Sequence, residues 1–346
     1  MLVSILGVLI VFTGGILSGS AVWPMKLMKR YQFEHWWFVA MLTGLIVVPW
    51  TVTLVSCPNA LRALHSVPWH TLVTANLWAL GWGVANVLCG LCYVRLGIAL
   101  TSVIVTGLGA ATGVTMPLVV KGSGFFQHAN DLWSRAGIIL LCGVGVMLSG
   151  VALAGIAGAG RERARANIEK SSTSFLASLV MAVIAGVLSA GMGLSFVYAQ
   201  GPIMQAMKEQ GAGEIPSIFS VWAIALLGGG LLSVLYPVWL MLKNHSWKLI
   251  GQSRKEFVLA MIIGINASLA VVLLGAGMRM VGPLGASVGL GLQTGAWMIG
   301  GQLVGFASGE WRGSDDRLRK RIYLAILCLI AGMIIMVFGN LFGKAW

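Results

Sequence analysis

Ten apolar runs of roughly 20 residues or more recur along the whole chain and restrict its fold more than any other feature. As α-helices, such runs can cross about 30 Å of hydrocarbon, and each helix satisfies its own backbone hydrogen bonds in lipid. The period-two alternation of a membrane β-strand is absent. The sequence therefore predicts an all-α integral membrane protein with ten transmembrane helices. They are expected at residues 2–28, 36–56, 71–94, 98–120, 136–159, 175–200, 215–242, 257–277, 281–308 and 322–342.

Composition agrees with a membrane protein and excludes a soluble globular class, since 58% of the residues are hydrophobic and only 10% are charged. The first run does not resemble a cleaved signal peptide. No basic residue precedes it, and it continues beyond Ser20 without a small-residue cleavage site. We therefore expect it to remain in the protein as a transmembrane helix.

The net charge of +13 reports membrane orientation rather than an affinity for nucleic acid, because the basic residues lie almost wholly between the apolar runs. Seventeen of the 23 lysines and arginines fall in the odd-numbered loops, and six fall on the other side. The positive-inside rule then places the odd loops in the cytoplasm. We predict a multi-pass protein of the bacterial inner membrane, in contact with lipid, with both termini in the periplasm and no nucleic-acid partner.

A motif of small residues near the amino terminus returns in the second half of the chain. Residues 15–19 read GILSG in the first run, and residues 186–190 read GVLSA in the sixth. Residues 97–102 read GIALTS at the start of the fourth run, and residues 282–287 read GPLGAS at the start of the ninth. Runs one and four thus return as runs six and nine, which predicts a repeat of five helices.

Because five is odd, the second repeat must enter the membrane in the opposite orientation to the first. The predicted architecture is two inverted five-helix repeats, residues 1–160 and 175–346, joined by a basic cytoplasmic connector, residues 161–174. Inverted bundles with a ligand between them at mid-membrane are typical of secondary transporters, because rocking one half against the other exposes the site to each side in turn. The repeat therefore predicts transport by alternating access.

The third apolar run carries a candidate sugar-binding face. Trp78, Trp82 and Asn86 are spaced four residues apart, so they stack on one side of a helix. Indole rings pack against the C–H faces of a pyranose, and an amide can both donate to and accept from its hydroxyls. The alternative is that the tryptophans serve as packing or interface anchors, which are common in membrane helices.

Further polar groups within the apolar runs each need a hydrogen-bond partner and should face the interior of the bundle. Either they contact a substrate or they join helices to one another. The same choice applies to the small-residue motif, which serves close helix packing or faces a polar cavity. These additional candidates are Ser18, Ser189, Tyr198, Gln200, Asn266 and Gln293.

A set of motifs, read in order, resembles the L-rhamnose/proton symporter family of the drug/metabolite transporter superfamily. The main motif, residues 23–37, reads WPMKLMKRYQFEHWW, and its Trp-Pro pair should kink or end the first helix. The other motifs are VPW at 48–50, CPN at 57–59, GWGVAN at 81–86, LSAGM at 188–192, GGG at 228–230 and GEW at 309–311. The likeness extends over nearly the whole chain. Runs eight and nine depart from it, since they consist mostly of small and aliphatic residues.

The resemblance implies that the protein imports a sugar or sugar-like metabolite of the L-rhamnose type together with a proton. The matching motif makes Glu34 the candidate for proton coupling, beside His35, and contains two further substrate-binding candidates, Trp23 and Lys26. For Lys26 the alternative is that it only extends to the membrane edge, as lysines one turn away from that edge do. We also expect the carboxylate of Glu34 to lie within reach of the cations at 26–30. The alternative is that Glu34 only stabilises the amino end of the second helix through the helix dipole.

Three other functional classes are alternatives to a sugar importer. An exporter of more apolar metabolites is favoured by runs eight and nine. A membrane enzyme would need clustered His, Asp, Glu or Cys, and the sequence has no such cluster, so we predict no catalytic residue, cofactor or metal site. A receptor or scaffold would not need an inverted repeat.

Overall fold

The computed structural model describes residues 2–119, 132–166, 172–282 and 285–343, which are helical and contain no strand. The first helices are α1 (Leu2–Ser20), α2 (Phe33–Met41), α3 (Val48–Ser56), α4 (Ala60–Ser66), α5 (Trp69–Arg95), α6 (Ile98–Val119) and α7 (Arg135–Ala166). They are followed by α8 (Ser172–Leu188), α9 (Ala190–Glu209), α10 (Glu214–Ala225), α11 (Leu227–Lys243), α12 (Arg254–Val281), α13 (Gly285–Ala307) and α14 (Asp316–Gly343). Within the described ranges, each predicted apolar run coincides with one helix or with consecutive helices.

Seven segments of the described chain are long and apolar enough to cross a membrane, and an eighth results if α10 and α11, which meet at a bend of 57°, form one span. The seven are Leu2–Leu27, Phe33–Ser56, Trp69–Arg95, Arg135–Gly160, Phe175–Glu209, Arg254–Val281 and Asp316–Gly339. The prediction of an all-α, multi-pass membrane protein is therefore confirmed. The count of ten helices and the inverted repeat remain predictions. Part of the predicted connector, residues 167–171, lies outside the described residues.

Prolines interrupt the first two spans. α1 ends at Ser20, and a 3-10 segment, Trp23–Leu27, follows with Pro24 in its first turn, as the Trp-Pro pair predicted. In the second span, a π-helical stretch, Leu42–Val47, separates α2 from α3. It immediately precedes the turn that holds Pro49, which has no N–H to donate to a carbonyl one turn earlier. These breaks interrupt the regular α-helix within each of the two spans.

Two glycines at equivalent points of the predicted repeat have a positive φ. Gly97 joins α5 to α6 with φ of +85°, and Gly282 follows α12 with φ of +114°. A side chain is strained in this region of φ, so glycine is strongly favoured at both turns. Each turn lies in one of the paired motifs at 97–102 and 282–287.

The two sequence halves interlock rather than lying side by side. Helix α1 packs against α12 and α13 of the second half, and α8 and α9 pack against α5 and α6 of the first half. Helix α6 packs against α13, and α7 packs against α14. The middle of the molecule is therefore bounded by helices from both halves.

The small-residue motif of α1 serves close packing, as one of its two interpretations expected. A Cβ atom added to Gly15 would lie 2.5 Å from the Cβ of Ala296, and one added to Gly19 would lie 2.1 Å from the carbonyl oxygen of Trp297. The backbones of α1 and α13 are thus in direct contact. This contact brings Ser18, between these glycines, to the middle of the bundle.

Candidate functional site

Two adjoining cavities lie in the middle of the bundle, with about 530 and 680 Å³ of empty space. They share a wall contributed by α5, α9 and α13, so we describe them together as the central cavity. Its first part extends towards α6 and its second part towards α1, α2 and α12. The shared wall consists of Trp82, Asn86, Cys89, Met192, Gln293 and Trp297.

Asn86 is held in place by its amide nitrogen. Its Nδ2 atom donates to the hydroxyl oxygen of Ser233 at 3.0 Å and lies 3.1 Å from the sulfur of Met41. Among the described residues, no donor reaches its Oδ1 atom. The side chain is thus fixed by contacts to α11 and α2, while its carbonyl oxygen can accept a hydrogen bond from a ligand.

A second amide comes from α13. Gln293 is 2% exposed, and its Nε2 atom donates to the hydroxyl of Ser18 at 3.4 Å. As with Asn86, its carbonyl oxygen accepts no hydrogen bond within the described part of the chain. Ser18 therefore faces the central cavity, so the small-residue motif of α1 serves both packing and the polar lining.

Three indole rings complete the polar and aromatic wall. Trp82 is 8% exposed and borders both parts of the cavity, Trp297 also borders both, and Trp37 borders the second part. The Nε1 atoms of Trp37 and Trp297 are buried, and neither has a hydrogen-bond partner among the described residues, although Tyr93 lies beside Trp297. Buried N–H donors are normally satisfied, so these two are suited to a ligand oxygen.

Three hydroxyl groups line the first part of the cavity. Ser189 donates to the carbonyl of Gly186 at 2.7 Å, Thr294 to that of Leu290 at 2.8 Å, and Thr106 to that of Ser102. Each hydroxyl oxygen can still accept a hydrogen bond. None of the described residues that line either part of the cavity is charged. A neutral ligand with several hydroxyls matches this lining better than an ion does.

The structure brings together five of the eleven predicted substrate-binding residues around the central cavity, namely Ser18, Trp82, Asn86, Ser189 and Gln293. The other six do not line it. Trp23 is 45% exposed, and Trp78, Tyr198 and Asn266 are half-buried. Lys26 forms an ion pair with Glu310, and Gln200 accepts a hydrogen bond from Arg279 at 3.1 Å.

Sequence reasoning missed several residues of the wall, above all Trp297 and Trp37. Trp297 is four residues after Gln293, so the two share a face of α13, and this spacing was a usable signal. Trp37 is the last residue of the motif at 23–37, yet only its packing on α5 reveals its position: a Cβ added to Gly90 would lie 2.7 Å from its ring. The spacing of Trp78, Trp82 and Asn86 was informative, but Trp78 does not line the cavity.

Glu34 lies outside the central cavity, in the first turn of α2. Its carboxylate accepts hydrogen bonds from the Asn244 amide at 3.0 Å and the Ser246 hydroxyl at 3.4 Å, and it is 5% exposed. The adjacent His35 accepts from the backbone N–H of Gln32 and thereby caps the helix, while its Nε2 lies 3.0 Å from the carbonyl of Ser246. The expected cations are engaged differently, since Lys26 pairs with Glu310.

Two further carboxylates near Glu34 also hold the sequence halves together. Glu310 is 9% exposed, lies 3.0 Å from Lys26 Nζ and accepts the N–H groups of Ile98 and Ala99 at the start of α6. Glu256, in the first turn of α12, accepts the consecutive N–H groups of residues 29–31 at 2.7 to 3.2 Å. Burial, together with the nearby Glu256 charge, raises the pKa of Tyr31. We call Glu34, Glu256 and Glu310 the carboxylate contacts.

Replacing Glu256 by alanine is expected to lower the unfolding temperature and loosen residues 29–31. Three backbone N–H groups would lose a charged acceptor, at a cost of about 1–2 kcal/mol after allowance for the nearby aqueous boundary. Thermal unfolding of the detergent-solubilised protein and hydrogen exchange at residues 29–31 measure the two effects. Glu209→Ala is the control, because Glu209 is exposed and, within the described part of the chain, its only side-chain hydrogen bond is with Gln205, one helical turn away. Equal results for both variants would show that the Glu256 contact is unimportant.

The described residues contain no group of three or more His, Cys, Asp or Glu side chains that could hold a metal ion. The thiols of Cys57, Cys89 and Cys92 are buried, Cys142 is exposed, and Cys328 is partly buried. Cys89 borders the cavity, where it lies next to Tyr93. The site thus consists of amides, hydroxyls, indoles and apolar groups.

Comparison with known proteins adds an independent line of evidence. Residues 2–345 match the family model described as L-rhamnose-proton symport protein. The L-rhamnose-proton symporters of Yersinia pestis (strains Antiqua and Pestoides F) and Yersinia pseudotuberculosis (strain IP 31758) are each 28% identical to the chain over 234 residues. This match covers 67% of the chain and 66%, just under two thirds, of the length of each relative. Since the family model extends over nearly the whole chain, the protein belongs to the L-rhamnose-proton symport protein family.

Proposed function

We propose that the protein imports a sugar or sugar-like metabolite, of the L-rhamnose type, by proton symport with alternating access. The observation that carries this proposal is the central cavity, which is uncharged in its described lining and combines two amides with indole rings. Membership of the L-rhamnose-proton symport protein family supports both the sugar and the proton. The proposed function requires no chemical reaction and no cofactor at this site, because the substrate crosses the membrane unchanged.

The polar groups of the cavity suit a polyhydroxylated substrate. The free carbonyl oxygens of Asn86 and Gln293 accept from hydroxyls, and the indole N–H groups of Trp37 and Trp297 donate to them. The Trp82 ring offers an apolar face for the C–H groups of a pyranose. These groups therefore replace the hydrogen bonds that the substrate makes with water. Such replacement is necessary for a polar molecule to enter the membrane.

Alternating access is supported by features that fit an inverted repeat. Helix α1 contacts α12 and α13, while α8 and α9 contact α5 and α6, so the first helix of each proposed repeat packs into the other repeat. Ser18 and Ser189 occupy equivalent positions of the repeated motif, and both border the cavity. A substrate held between two such halves is exposed to opposite sides as the halves rock.

The carboxylate contacts favour closure of the end at which residues 26–34 lie. Each contact joins a group of the first half to one of the second half. The excess of basic residues in the odd loops assigns this end to the cytoplasm, which puts the termini in the periplasm of a bacterial inner membrane. At the opposite end, the contacts between halves include Asn59 with Gln210 and Cys57 with Ser220, which are uncharged. We therefore propose a conformation closed towards the cytoplasm.

Glu34 remains the proposed proton-coupling residue. Its carboxylate is buried and bonds to uncharged partners, Asn244 and Ser246, across the two halves. Protonation would remove the charge that both donors stabilise, which would weaken a contact that keeps the cytoplasmic end closed. Proton uptake and opening are thereby linked through one residue.

Uptake of labelled L-rhamnose into proteoliposomes, with and without an inward proton gradient, tests this function. The parent protein is expected to accumulate the sugar only with the gradient. Glu34→Gln is expected to lose accumulation but to retain exchange of labelled for unlabelled sugar, because glutamine cannot release a proton. Glu209→Gln is the matched control and should accumulate normally. Accumulation by Glu34→Gln would reduce Glu34 to a structural helix cap, and absence of any rhamnose movement by folded parent protein would contradict the substrate.

An exporter of more apolar metabolites is the second candidate function. It is favoured by the apolar side of the cavity, where Met41, Leu45, Ile263 and Val271 form part of the lining. This function predicts that hydrophobic compounds compete with or replace sugar. The same liposomes distinguish the two: import of rhamnose that amphipathic competitors do not affect argues for the sugar importer.

A further inference from the structure

A groove beside the turn between α13 and α14 is separate from the central cavity and shares none of its described lining residues. It is an open groove with about 410 Å³ of empty space and is lined by Phe306, Trp311, Arg312, Arg319 and Tyr323. The turn is tight, with φ of +76° at Gly309 and +75° at Gly313. It places the end of α13 against the first two turns of α14, so the groove lies where the apolar span Asp316–Gly339 begins.

The inner wall of the groove is aromatic. Phe306 stacks on Tyr323 with ring centroids 5.7 Å apart and an interplanar angle of 13°, and on Trp311 at 6.1 Å and 30°. Tyr323 is 53% exposed, although it is packed against Phe306. This wall is open at the side and suits the glycerol and upper acyl region of a lipid.

The mouth of the groove is positively charged. Arg319 is oriented by a hydrogen bond from its Nη2 atom to the carbonyl of Trp311 at 3.3 Å, and the stem of Arg312 packs over Gly309. Among the described residues, Arg319 pairs only with Asp316, at 4.0 Å; Asp316 is 86% exposed, so water screens much of its charge. No acidic residue among the described residues lines the groove. Two guanidinium groups at one mouth match a phosphate ester.

An apolar track continues from the groove along α14. Tyr323, Leu327, Ile330 and Ile334 follow one another at spacings of four, three and four residues, so they share one face of the helix. Each is 37% to 61% exposed, which is the expected state of a face turned towards lipid. An acyl chain can lie on this face while its headgroup remains at the arginines.

We propose that this groove is a binding site for an anionic phospholipid, with the phosphate between Arg312 and Arg319 and an acyl chain along the Tyr323 face. The charge of the mouth selects an anionic over a zwitterionic headgroup. The apolar track selects a lipid over a free phosphate ester. The site is independent of the transported substrate and of the central cavity.

Binding of phosphatidylglycerol to the full-length protein in detergent, measured by native mass spectrometry, tests the proposal. The variant Arg312→Gln/Arg319→Gln is compared with Lys320→Gln/Arg321→Gln, which removes the same charge from exposed neighbours outside the groove. We expect the groove variant to bind phosphatidylglycerol about tenfold more weakly and the control to change less than about twofold. Equal losses of phosphatidylglycerol binding in the two variants would overturn the proposal of a defined site, because nonspecific electrostatic attraction to the basic loop would then explain the binding.

Two further measurements identify the class of ligand and test whether weaker binding results from misfolding. Phosphatidylcholine and sn-glycerol 3-phosphate, at the same concentration, are expected to compete poorly, since one lacks net negative charge and the other lacks acyl chains. Effective competition by glycerol phosphate would assign the groove to a free phosphate ester and contradict the lipid. The single variant Arg312→Gln leaves the Arg319 contact to Trp311 intact, so its weaker lipid binding should persist with an unchanged unfolding temperature.

Discussion

Gly19→Ala is expected to abolish transport and to lower the unfolding temperature more than any other single-methyl change proposed for this protein. The added Cβ would lie 2.1 Å from the carbonyl oxygen of Trp297 and 2.8 Å from the amide nitrogen of Gly301. Both are backbone atoms, so no side chain can rotate away. Separation of α1 from α13 should cost about 1–3 kcal/mol or more, as for other overpacked interiors. It would also displace Trp297 in the wall of the central cavity.

Thermal unfolding in detergent and uptake in proteoliposomes measure the two parts of this prediction. The control is Gly81→Ala on α5, where an added Cβ meets nothing within 4 Å. Because alanine is the better helix former, the control should be as stable as the parent or slightly more so. Parent-like stability and uptake in Gly19→Ala would show that α1 and α13 are not packed as described.

Asn86→Leu is expected to produce the largest loss of substrate affinity without a comparable loss of stability. Leucine is similar in size but removes the carbonyl oxygen that faces the cavity. A substrate hydroxyl would then remain unsatisfied, which costs about 1–3 kcal/mol, or roughly a fivefold to hundredfold loss of uptake at limiting substrate. The concentration for half-maximal uptake should rise accordingly.

Asn76→Leu provides the matched comparison on the same helix. The amide of Asn76 accepts the N–H of Gly228 at 2.7 Å and donates to the carbonyl of Ile224 at 3.1 Å, so it joins α5 to the region between α10 and α11. Loss of the Asn76 amide should lower the unfolding temperature. The substrate concentration that gives half-maximal uptake by the remaining folded protein should stay near the value for the parent protein. If Asn76→Leu raises that concentration as much as Asn86→Leu does, Asn86 has no special role in binding.

The two amides show how far the sequence can separate a binding residue from a structural one. Asn76 and Asn86 both lie within one apolar run, and each was expected to need a partner. Local pattern cannot distinguish them, because their partners are on α10 and α11, about 150 residues away. The spacing of Trp82 and Asn86 did identify the cavity side of α5, since that periodicity is a property of the helix alone.

The polar residues outside the cavity illustrate the same limit. Lys26 and Glu34 lie in one motif, but they contact different parts of the second half, Glu310 and Asn244 respectively. Proximity in sequence suggested that the Glu34 carboxylate would lie within reach of the cations at 26–30. Tertiary contacts separated them, because Lys26 ends the first span while Glu34 begins the second.

The length and spacing of the apolar runs were sufficient to predict an all-helical membrane protein and the positions of its helices, because burial of backbone polar groups in lipid permits few other solutions. The Trp-Pro break was also predictable, since it depends on local backbone geometry. The contact of Ser18 with Gln293 and the unsatisfied indoles of Trp37 and Trp297 depend on how distant helices rotate and approach one another. Those rotations are set by packing between the two halves, and no local pattern encodes them.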